Sequence, residues 1–279
     1  MKFFKPSSFS ELFNYLDDNH QSKYFLAGGT DINVQIQNNA IKEESEIYYI
    51  NHLTKLKGIQ EEDEFISIGA ATDYYEIIHS SLLSAFIPFF QSSLKNFASP
   101  ILQTLATIGG NIANGSPTND VSPLLLIYDA ELELISSEGI RKIPIRDFFT
   151  GYKSSVLKYN EIIKSILIPK DAETDYITFF QKVGSRKALI IAKATLAGLK
   201  KVEDNIIKEI KLAACSLTEI PKRLTKMENY LLDKKLNELD LIRIEEILKT
   251  EITPITDLRS DKDYRFEVCL NMLRNFIAK

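Results

Sequence analysis

Two diglycine motifs contain the residues best suited to binding a ligand. The first motif is Ala27-Gly28-Gly29-Thr30-Asp31-Ile32, and the second motif runs from Thr107 to Asp120 with the sequence TIGGNIANGSPTND. A strand that ends in two glycines before a helix can turn successive backbone amides toward one point, where an anion can approach the main chain. The first helical turn adds unpaired amides and the positive end of the helix dipole. The first motif therefore predicts a pyrophosphate site.

The second motif adds uncharged hydrogen-bonding side chains and one carboxylate, a set suited to the hydroxyl groups of a ribityl chain. Its Gly109-Gly110 pair indicates a close approach of the backbone or a positive φ angle. Two such motifs about 80 residues apart predict that their amides converge on one phosphate-bearing ligand. The plainer alternatives are a tight turn for the first motif and a solvated loop for the second. The sequence contains neither a P-loop nor a G-x-G-x-x-G fingerprint.

The composition excludes several classes of protein. With 44% hydrophobic and 26% charged residues among 279, and a net charge of −4, the chain reads as globular and not as a nucleic-acid binder. It has no signal-peptide pattern and no apolar run of about 18 residues, so we expect a cytoplasmic protein outside the membrane. Cys215 and Cys269 are too few for an iron–sulfur cluster and are expected to be buried thiols. The scattered histidines predict no metal site.

The periodicity of apolar residues predicts the elements that position these motifs. Before Pro169 we expect strands at 24–26, 46–50, 65–69, 131–135 and 161–169, and helices at 31–37 (capped by Thr30), 73–97 (broken at Pro88) and 121–128 (capped by Asp120). The second motif is expected to be a loop. After Pro169 we expect strands at 177–183, 190–199 and 206–215, followed by helices, the last with one buried stripe. A boundary near residue 170 separates these two regions.

Five segments, in order, resemble the FAD-binding subunit of molybdenum hydroxylases, the family of xanthine dehydrogenase and carbon monoxide dehydrogenase. Besides the two motifs they are FFTGY at 148–152, EIIKSILIP at 161–169 and FQKVGSRKA at 180–188. The resemblance covers nearly the whole chain. It implies an α+β fold with a two-part FAD-binding domain of the vanillyl-alcohol-oxidase (PCMH) type at 1–170, divided into subdomains of about 1–57 and 58–170. A smaller domain at 171–279, a three-stranded antiparallel sheet with helices, would follow.

The resemblance also implies which residues contact FAD. The backbone of the first motif would hold the pyrophosphate, with Asp31 either on ribose or ribityl hydroxyls or capping the helix. Ile163 would pack near the isoalloxazine ring, or be plain core. Lys182 would lie beside the ring, where a cation raises the reduction potential, or be a solvated surface lysine. From the second motif, Thr107, Ile108, Gly109, Gly110 and Asn111 would lie against the flavin and diphosphate, and Asn114, Ser116 and Asp120 would bind the ribityl region.

The family implies electron transfer through bound FAD. A molybdopterin-binding subunit would oxidise the substrate, a [2Fe–2S] subunit would relay the electrons, and this chain would pass them to NAD or another acceptor. No catalytic residue is predicted here, because orientation and electrostatics are what the protein supplies to a flavin. The alternatives are a stand-alone flavin oxidoreductase and a non-catalytic FAD-binding scaffold.

Overall fold

The computed structural model describes residues 1–18, 23–186 and 191–279. Its first part is a parallel sheet in the order β1-β3-β2. Because β2 and β3 are parallel, both strands end at the same edge of the sheet, and the first motif follows β2 directly at this edge. The strands predicted at 24–26 and 46–50 are confirmed, each within one residue at either end. The elements are β1 (Lys2–Phe4), α1 (Phe9–Asp18), β2 (Lys23–Leu26), α2 (Ile32–Gln37) and β3 (Glu46–Tyr49).

An antiparallel sheet in the order β4-β5-β10-β6-β7 forms the second part, with helices inserted after β5. The helical stretch predicted at 73–97 breaks at Pro88, as expected, and also at Ser80, whose hydroxyl caps the next helix by accepting from the Leu83 amide (3.2 Å). The elements are β4 (Ile59–Glu61), β5 (Phe65–Gly69), α3 (Tyr74–His79), α4 (Ser81–Phe86), α5 (Pro88–Ser93), α6 (Pro100–Gln103), α7 (Ile108–Ala113), α8 (Ser122–Ile127), β6 (Glu131–Ser136), β7 (Gly139–Pro144), β8 (Phe149–Gly151), β9 (Ser154–Ser155) and β10 (Ile162–Pro169).

Three local predictions in the first two parts are wrong. The second motif is not a loop throughout, because Ile108–Ala113 forms α7, with the Thr107 hydroxyl accepting from the Gly110 amide at 3.3 Å. Asp120 does not cap α8; the Asn119 side chain does, accepting from the amides of residues 121 and 122 at 2.9 and 3.0 Å. Thr30 does not cap α2, which begins at Ile32 without a side-chain cap bond.

The C-terminal part is an antiparallel sheet in the order β11-β12-β13-β14, followed by helices. Counted over the described residues of this part, the sheet has four strands and not three, because the two-residue β14 was too short to give an apolar period. The strand predicted at 190–199 is observed from Ala194 to Glu203, and residues 187–190 lie outside the described ranges. The elements are β11 (Ile177–Val183), β12 (Ala194–Glu203), β13 (Ile206–Cys215), β14 (Lys222–Arg223), α9 (Thr225–Leu231), α10 (Leu241–Glu251) and α11 (Lys262–Ala278).

Helix α8 joins the packing of the second and C-terminal parts. All six of its residues are buried, and it lies against β12, β13 and β14. The core around α8 consequently includes Ala197, Leu199 and Ala213 from the C-terminal sheet. The predicted buried stripe of α11 is confirmed, and Cys215 and Cys269 are buried free thiols. Among the helices described, none is long and apolar enough to cross a membrane.

Candidate functional site

The two motifs meet in space. A Cβ atom on Gly28 would lie 1.7 Å from the carbonyl oxygen of Leu105, so only glycine fits where the first motif passes the segment leading to the second. Side chains also join them, because the Asn114 amide donates to Asp31 Oδ1 at 3.4 Å. The Asp31 carboxylate accepts a second hydrogen bond from Gln35, one helical turn further along α2. The structure thus brings residues 27–32 and 107–114 together.

The first motif offers unpaired backbone donors. The first hydrogen bond into α2 runs from the Asn33 amide to the Gly29 carbonyl at 3.1 Å. Within the three ranges that the structure describes, the amides of residues 28–32 have no hydrogen-bond acceptor. These residues are half-buried, and the chain turns at Gly29 with a φ of +73°. Five successive free donors that follow the end of a parallel strand are suited to binding an anion.

The second motif does not offer its amides in the same way. The Ile108 amide donates to the Thr72 carbonyl at 3.1 Å, and the Gly109 amide donates to the Ala70 carbonyl at 2.8 Å. A Cβ on Gly109 would lie 2.5 Å from the Ala70 Cβ, so this glycine permits close packing of α7 on the chain beyond β5. The prediction that both diglycine pairs present free amides is therefore wrong for the second pair. The second motif can therefore contribute to ligand binding through its side chains.

The polar side chains between Asn111 and Asp120 form a half-buried polar wall. Asn111 Oδ1 is buried and accepts no hydrogen bond from any residue in the described ranges. The side-chain amide of Asn119 donates to the backbone carbonyl of Asn111 at 2.9 Å, which ties the end of the motif to α7. Ser116 Oγ lies 3.0 Å from Thr118 Oγ1. The Ser216 amide donates to the Pro117 carbonyl at 2.8 Å, so the C-terminal part supports the motif from behind.

Asp120 and Lys182 form a largely buried ion pair. Lys182 Nζ lies 2.5 Å from Asp120 Oδ2, and the two side chains are only 17% and 14% exposed. Burial raises the pKa of Asp120, and the Lys182 cation opposes that rise. Asp120 Oδ1 is buried without a partner among the residues described. The alternative that Lys182 is a solvated surface lysine is wrong, and Asp120 fails to cap α8 because its carboxylate is directed to this cation.

Ile163 lies in the hydrophobic core at 5% exposure. The register of β10 against β6 shifts between Ile163 and Ser165, which marks a bulge. The Lys164 carbonyl in this bulge accepts from the Ala70 amide at 2.9 Å, and Ala70 in turn accepts from Gly109. Ile163 thus lies in β10, the strand that contacts α7.

Residues that the sequence did not single out also belong to this region. Asn119 shapes the end of the second motif, and its only sequence signal was an asparagine beside the equally good capping residue Asp120. Tyr74, at the start of α3, and Thr195, opposite Lys182 on β12, are fully buried polar residues that carried no motif.

The free amides lie at the edge of the parallel sheet, and a hydrogen bond joins the first motif to the polar wall with its buried carboxylate. This arrangement is typical of a protein that binds a phosphate-bearing nucleotide cofactor. Residues 1–171 match the family model described as the FAD binding domain in molybdopterin dehydrogenase, and residues 179–279 match the CO dehydrogenase flavoprotein C-terminal domain. The chain belongs to this family, the FAD-binding oxidoreductase subunits of xanthine and CO dehydrogenase-like molybdenum hydroxylases.

Similar proteins cover almost the full length. The chain is 29% identical to the xanthine dehydrogenase FAD-binding subunit of Escherichia coli O157:H7, over 99% of this chain and 94% of the relative. It is 29% identical to the glyceraldehyde dehydrogenase medium chain of Sulfolobus acidocaldarius, over 95% and 92% of the two chains. A solved carbon monoxide dehydrogenase from Hydrogenophaga pseudoflava matches with a TM-score of 0.91 at 26% identity, covering 99% of this chain and 95% of that one.

Proposed function

We propose that this chain carries electrons through bound FAD within a multi-subunit molybdenum hydroxylase. It would take them from a [2Fe–2S] subunit, which is served by a molybdopterin-binding subunit, and pass them to NAD or another acceptor. Use of NAD would place the complex in the cytoplasm. The observation that supports this most directly is the meeting of five free amides with a polar wall at one strand edge.

The described residues fit FAD. The free amides of residues 28–32 are suited to the pyrophosphate. The Asp31 carboxylate, which would repel a phosphate, is engaged by Asn114 and Gln35. Asn114, Ser116 and the unpaired oxygens of Asn111 and Asp120 are suited to hydroxyl groups of the cofactor. Thr107, Ile108 and Gly110 would border the flavin beside them. FAD, when bound, supplies the redox chemistry.

Lys182 and Ile163 would lie nearest the ring. A free lysine cation would favour the reduced, more negative form of a nearby flavin. Lys182 is paired with Asp120, so the pair has no net charge and its effect on the reduction potential is smaller than that of an isolated lysine. Ile163 would contribute an apolar surface from the bulge in β10.

The two cysteines do not supply the ligands of an iron–sulfur cluster. They are buried free thiols on β13 and α11, too few to hold a cluster. This supports the proposal that a [2Fe–2S] partner subunit delivers the electrons. We further propose that residues 1–170 form the FAD-binding domain, with subdomains at about 1–57 and 58–170, and residues 171–279 the C-terminal domain, whose contacts on α8 complete the site.

The experiment is rapid-mixing reduction of the purified native complex, followed at the flavin absorbance. Substrate of the molybdenum subunit should reduce FAD on this chain, and an iron–sulfur subunit with its cluster removed should abolish that reduction. Reduction that continues without the cluster would support a stand-alone flavin oxidoreductase. A flavin that substrate does not reduce in the intact complex would support the scaffold.

A further inference from the structure

Arg265 is a buried cation that belongs to neither motif. It lies in the first turn of α11 and is 2% exposed. Its counter-ion is the Asp257 carboxylate, whose Oδ1 accepts from Nη2 at 2.8 Å, while its Nε is buried without an acceptor in residues 1–18, 23–186 or 191–279. Burying a charged pair is costly, and apolar residues of similar size are often as stable or more stable. A buried arginine therefore indicates a role that an apolar side chain cannot perform.

The Arg265 guanidinium joins two segments of the C-terminal sheet. Its Nη1 donates to the Lys193 carbonyl at 2.8 Å, immediately before β12, and to the Ser216 carbonyl at 3.1 Å, immediately after β13. Because β12 and β13 are antiparallel, these two segments lie at the same edge of the sheet. A guanidinium has five donors in a fixed planar fork, so it can hold two carbonyls and a carboxylate in one arrangement.

The segment at Ser216 leads directly to the second motif. The Ser216 amide donates to the Pro117 carbonyl at 2.8 Å. Ser216 has a φ of +64°, a backbone conformation that residues other than glycine rarely adopt. Both polar backbone groups of this strained residue are engaged, the carbonyl by Arg265 and the amide by the second motif.

The segment at Lys193 leads to the other contact with the second motif. The Lys193 amide donates to the Val183 carbonyl at 2.8 Å, which closes the end of β11 against the start of β12. Lys182 precedes Val183 and binds Asp120 through Nζ. The contacts of the C-terminal sheet with the second motif at Pro117 and Asp120 therefore both lead back to the same guanidinium.

We propose that Arg265 is a positioning residue for the cofactor site, because it sets the place of Lys182 and of residues 117–120 and thereby the affinity of the chain for FAD. This inference rests on the proposed FAD site. The donors of Arg265 bind groups of the protein itself, so Arg265 acts through the residues that it holds and not by touching the cofactor. A binding site keeps its geometry only when such a supporting shell is rigid.

The test compares Arg265→Met with Glu251→Met in the full chain. Glu251 is a matched control, because it is a buried charged residue of the same part at 3% exposure. Its carboxylate accepts from the amides of Lys226 and Met227 at 2.8 and 2.9 Å, and these residues belong to α9 and to neither motif. Both variants should lower the Tm of the FAD-free chain. Only Arg265→Met should weaken FAD binding, by about three- to tenfold, because two hydrogen bonds that support the site are lost.

A double-variant cycle separates positioning from a general loss of stability. If Arg265 acts through Lys182 and the second motif, Arg265→Met should weaken FAD binding less in a Lys182→Met background, with a coupling of at least about twofold. Weakening by the same factor in both backgrounds would overturn the proposal, as would a wild-type Kd in Arg265→Met or an equal loss of affinity in Glu251→Met. If Arg265→Met does not fold, Arg265→Lys serves in the same comparison, because it keeps the charge and loses the planar fork.

Failure of the proposed function would give a different result. A wild-type chain that binds no FAD would refute the FAD site, and the role of Arg265 is then measured in the FAD-free chain. There, Arg265→Met should speed hydrogen–deuterium exchange under native conditions in a peptide covering residues 115–121, and Glu251→Met should not. Equal exchange of this peptide in the two variants would overturn the positioning role.

Discussion

Lys182 on β11 binds Asp120 at the end of the second motif across 62 residues of sequence, with 2.5 Å between Nζ and Oδ2. Their side chains are 17% and 14% exposed, so this is a partly desolvated pair that attaches the C-terminal sheet to the polar wall of the site. The same sheet holds the other end of α8, where Lys211 and Arg223 bind Asp129 at 2.6 and 2.7 Å. The C-terminal part therefore positions the helix that follows the second motif.

Removing one partner of the Lys182–Asp120 pair should cost more than removing both. Lys182→Met leaves a buried carboxylate without its cation and should lower the free energy of unfolding by about 3 kcal/mol. The double variant Asp120→Asn/Lys182→Met should recover about half of this loss, because no charge is left unpaired. Urea denaturation of the FAD-free chains measures both values. Single and double variants of equal stability would show that the pair is solvated and weak.

Gly28 and Gly109 should not tolerate alanine, because a Cβ would lie 1.7 and 2.5 Å from atoms of residues 105 and 70. We expect each alanine variant to weaken FAD binding at least about tenfold. The clash at Gly28 forces the first motif away from the segment that leads to the second, and the clash at Gly109 forces α7 away from the chain beyond β5. Gly151→Ala is the control, because its Cβ would lie 3.6 Å from Glu219 Oε1, an ordinary contact. Equal FAD affinities in all three variants, measured by quenching of flavin fluorescence, would contradict this packing.

Asn119 should affect both the stability of the chain and its affinity for FAD. Asn119→Ala removes the cap of α8 and should lower the free energy of unfolding by about 1–2 kcal/mol. It also frees the Asn111 carbonyl, so FAD affinity should fall as well. Asp261→Ala removes the cap of the remote α11, where Asp261 accepts from the Tyr264 amide at 2.8 Å, and should lower stability alone. Parallel melting curves and FAD titrations separate the two effects; an unaffected Kd in Asn119→Ala would refute the second role.

Lys200 should make stability rise with pH. It is fully buried beneath α11, donating to the Ile277 carbonyl at 2.7 Å, and burial lowers its pKa to about 8. The folded-state pKa lies below that of the unfolded chain, so burying the charged form lowers the free energy of unfolding. This loss is present at pH 7 and disappears as the pH rises from about 8 toward 10.5. Wild type should gain about 2 kcal/mol relative to Lys200→Met between pH 7 and pH 10. A pH-independent difference between the two denaturation curves would contradict this shift.

Patterns of apolar residues predicted most of the fold. Strands such as Ile177–Val183 and Ile206–Cys215 match their predicted bounds, because alternation over seven or more residues is a strong local signal. The two-residue β14 has too few residues for any period, and it forms because Arg223 is held by Glu228 and Asp129. Local signals also could not divide the capping role between the neighbours Asn119 and Asp120, since Lys182, which decides it, is distant in sequence.

The sequence predicted where the site lies better than it predicted which groups its residues contact. Gly28 and Gly109 were singled out correctly as glycines that something approaches closely, but the approaching groups are the protein's own Leu105 and Ala70. Such tertiary contacts cannot be inferred from local patterns in the sequence. For the same reason the unsatisfied buried hydroxyls of Tyr74 and Thr195 could not be predicted, because they appear only when α3 and β12 are in place.

The central claim is that the free amides of residues 28–32 bind the FAD diphosphate. Hydrogen–deuterium exchange on peptides spanning 27–33, with and without saturating FAD, tests it most directly. We predict slowed exchange in this segment, together with smaller protection at 107–120, and no change in a remote peptide of α10. Saturating FAD binding that leaves exchange at 27–33 unchanged would contradict the account.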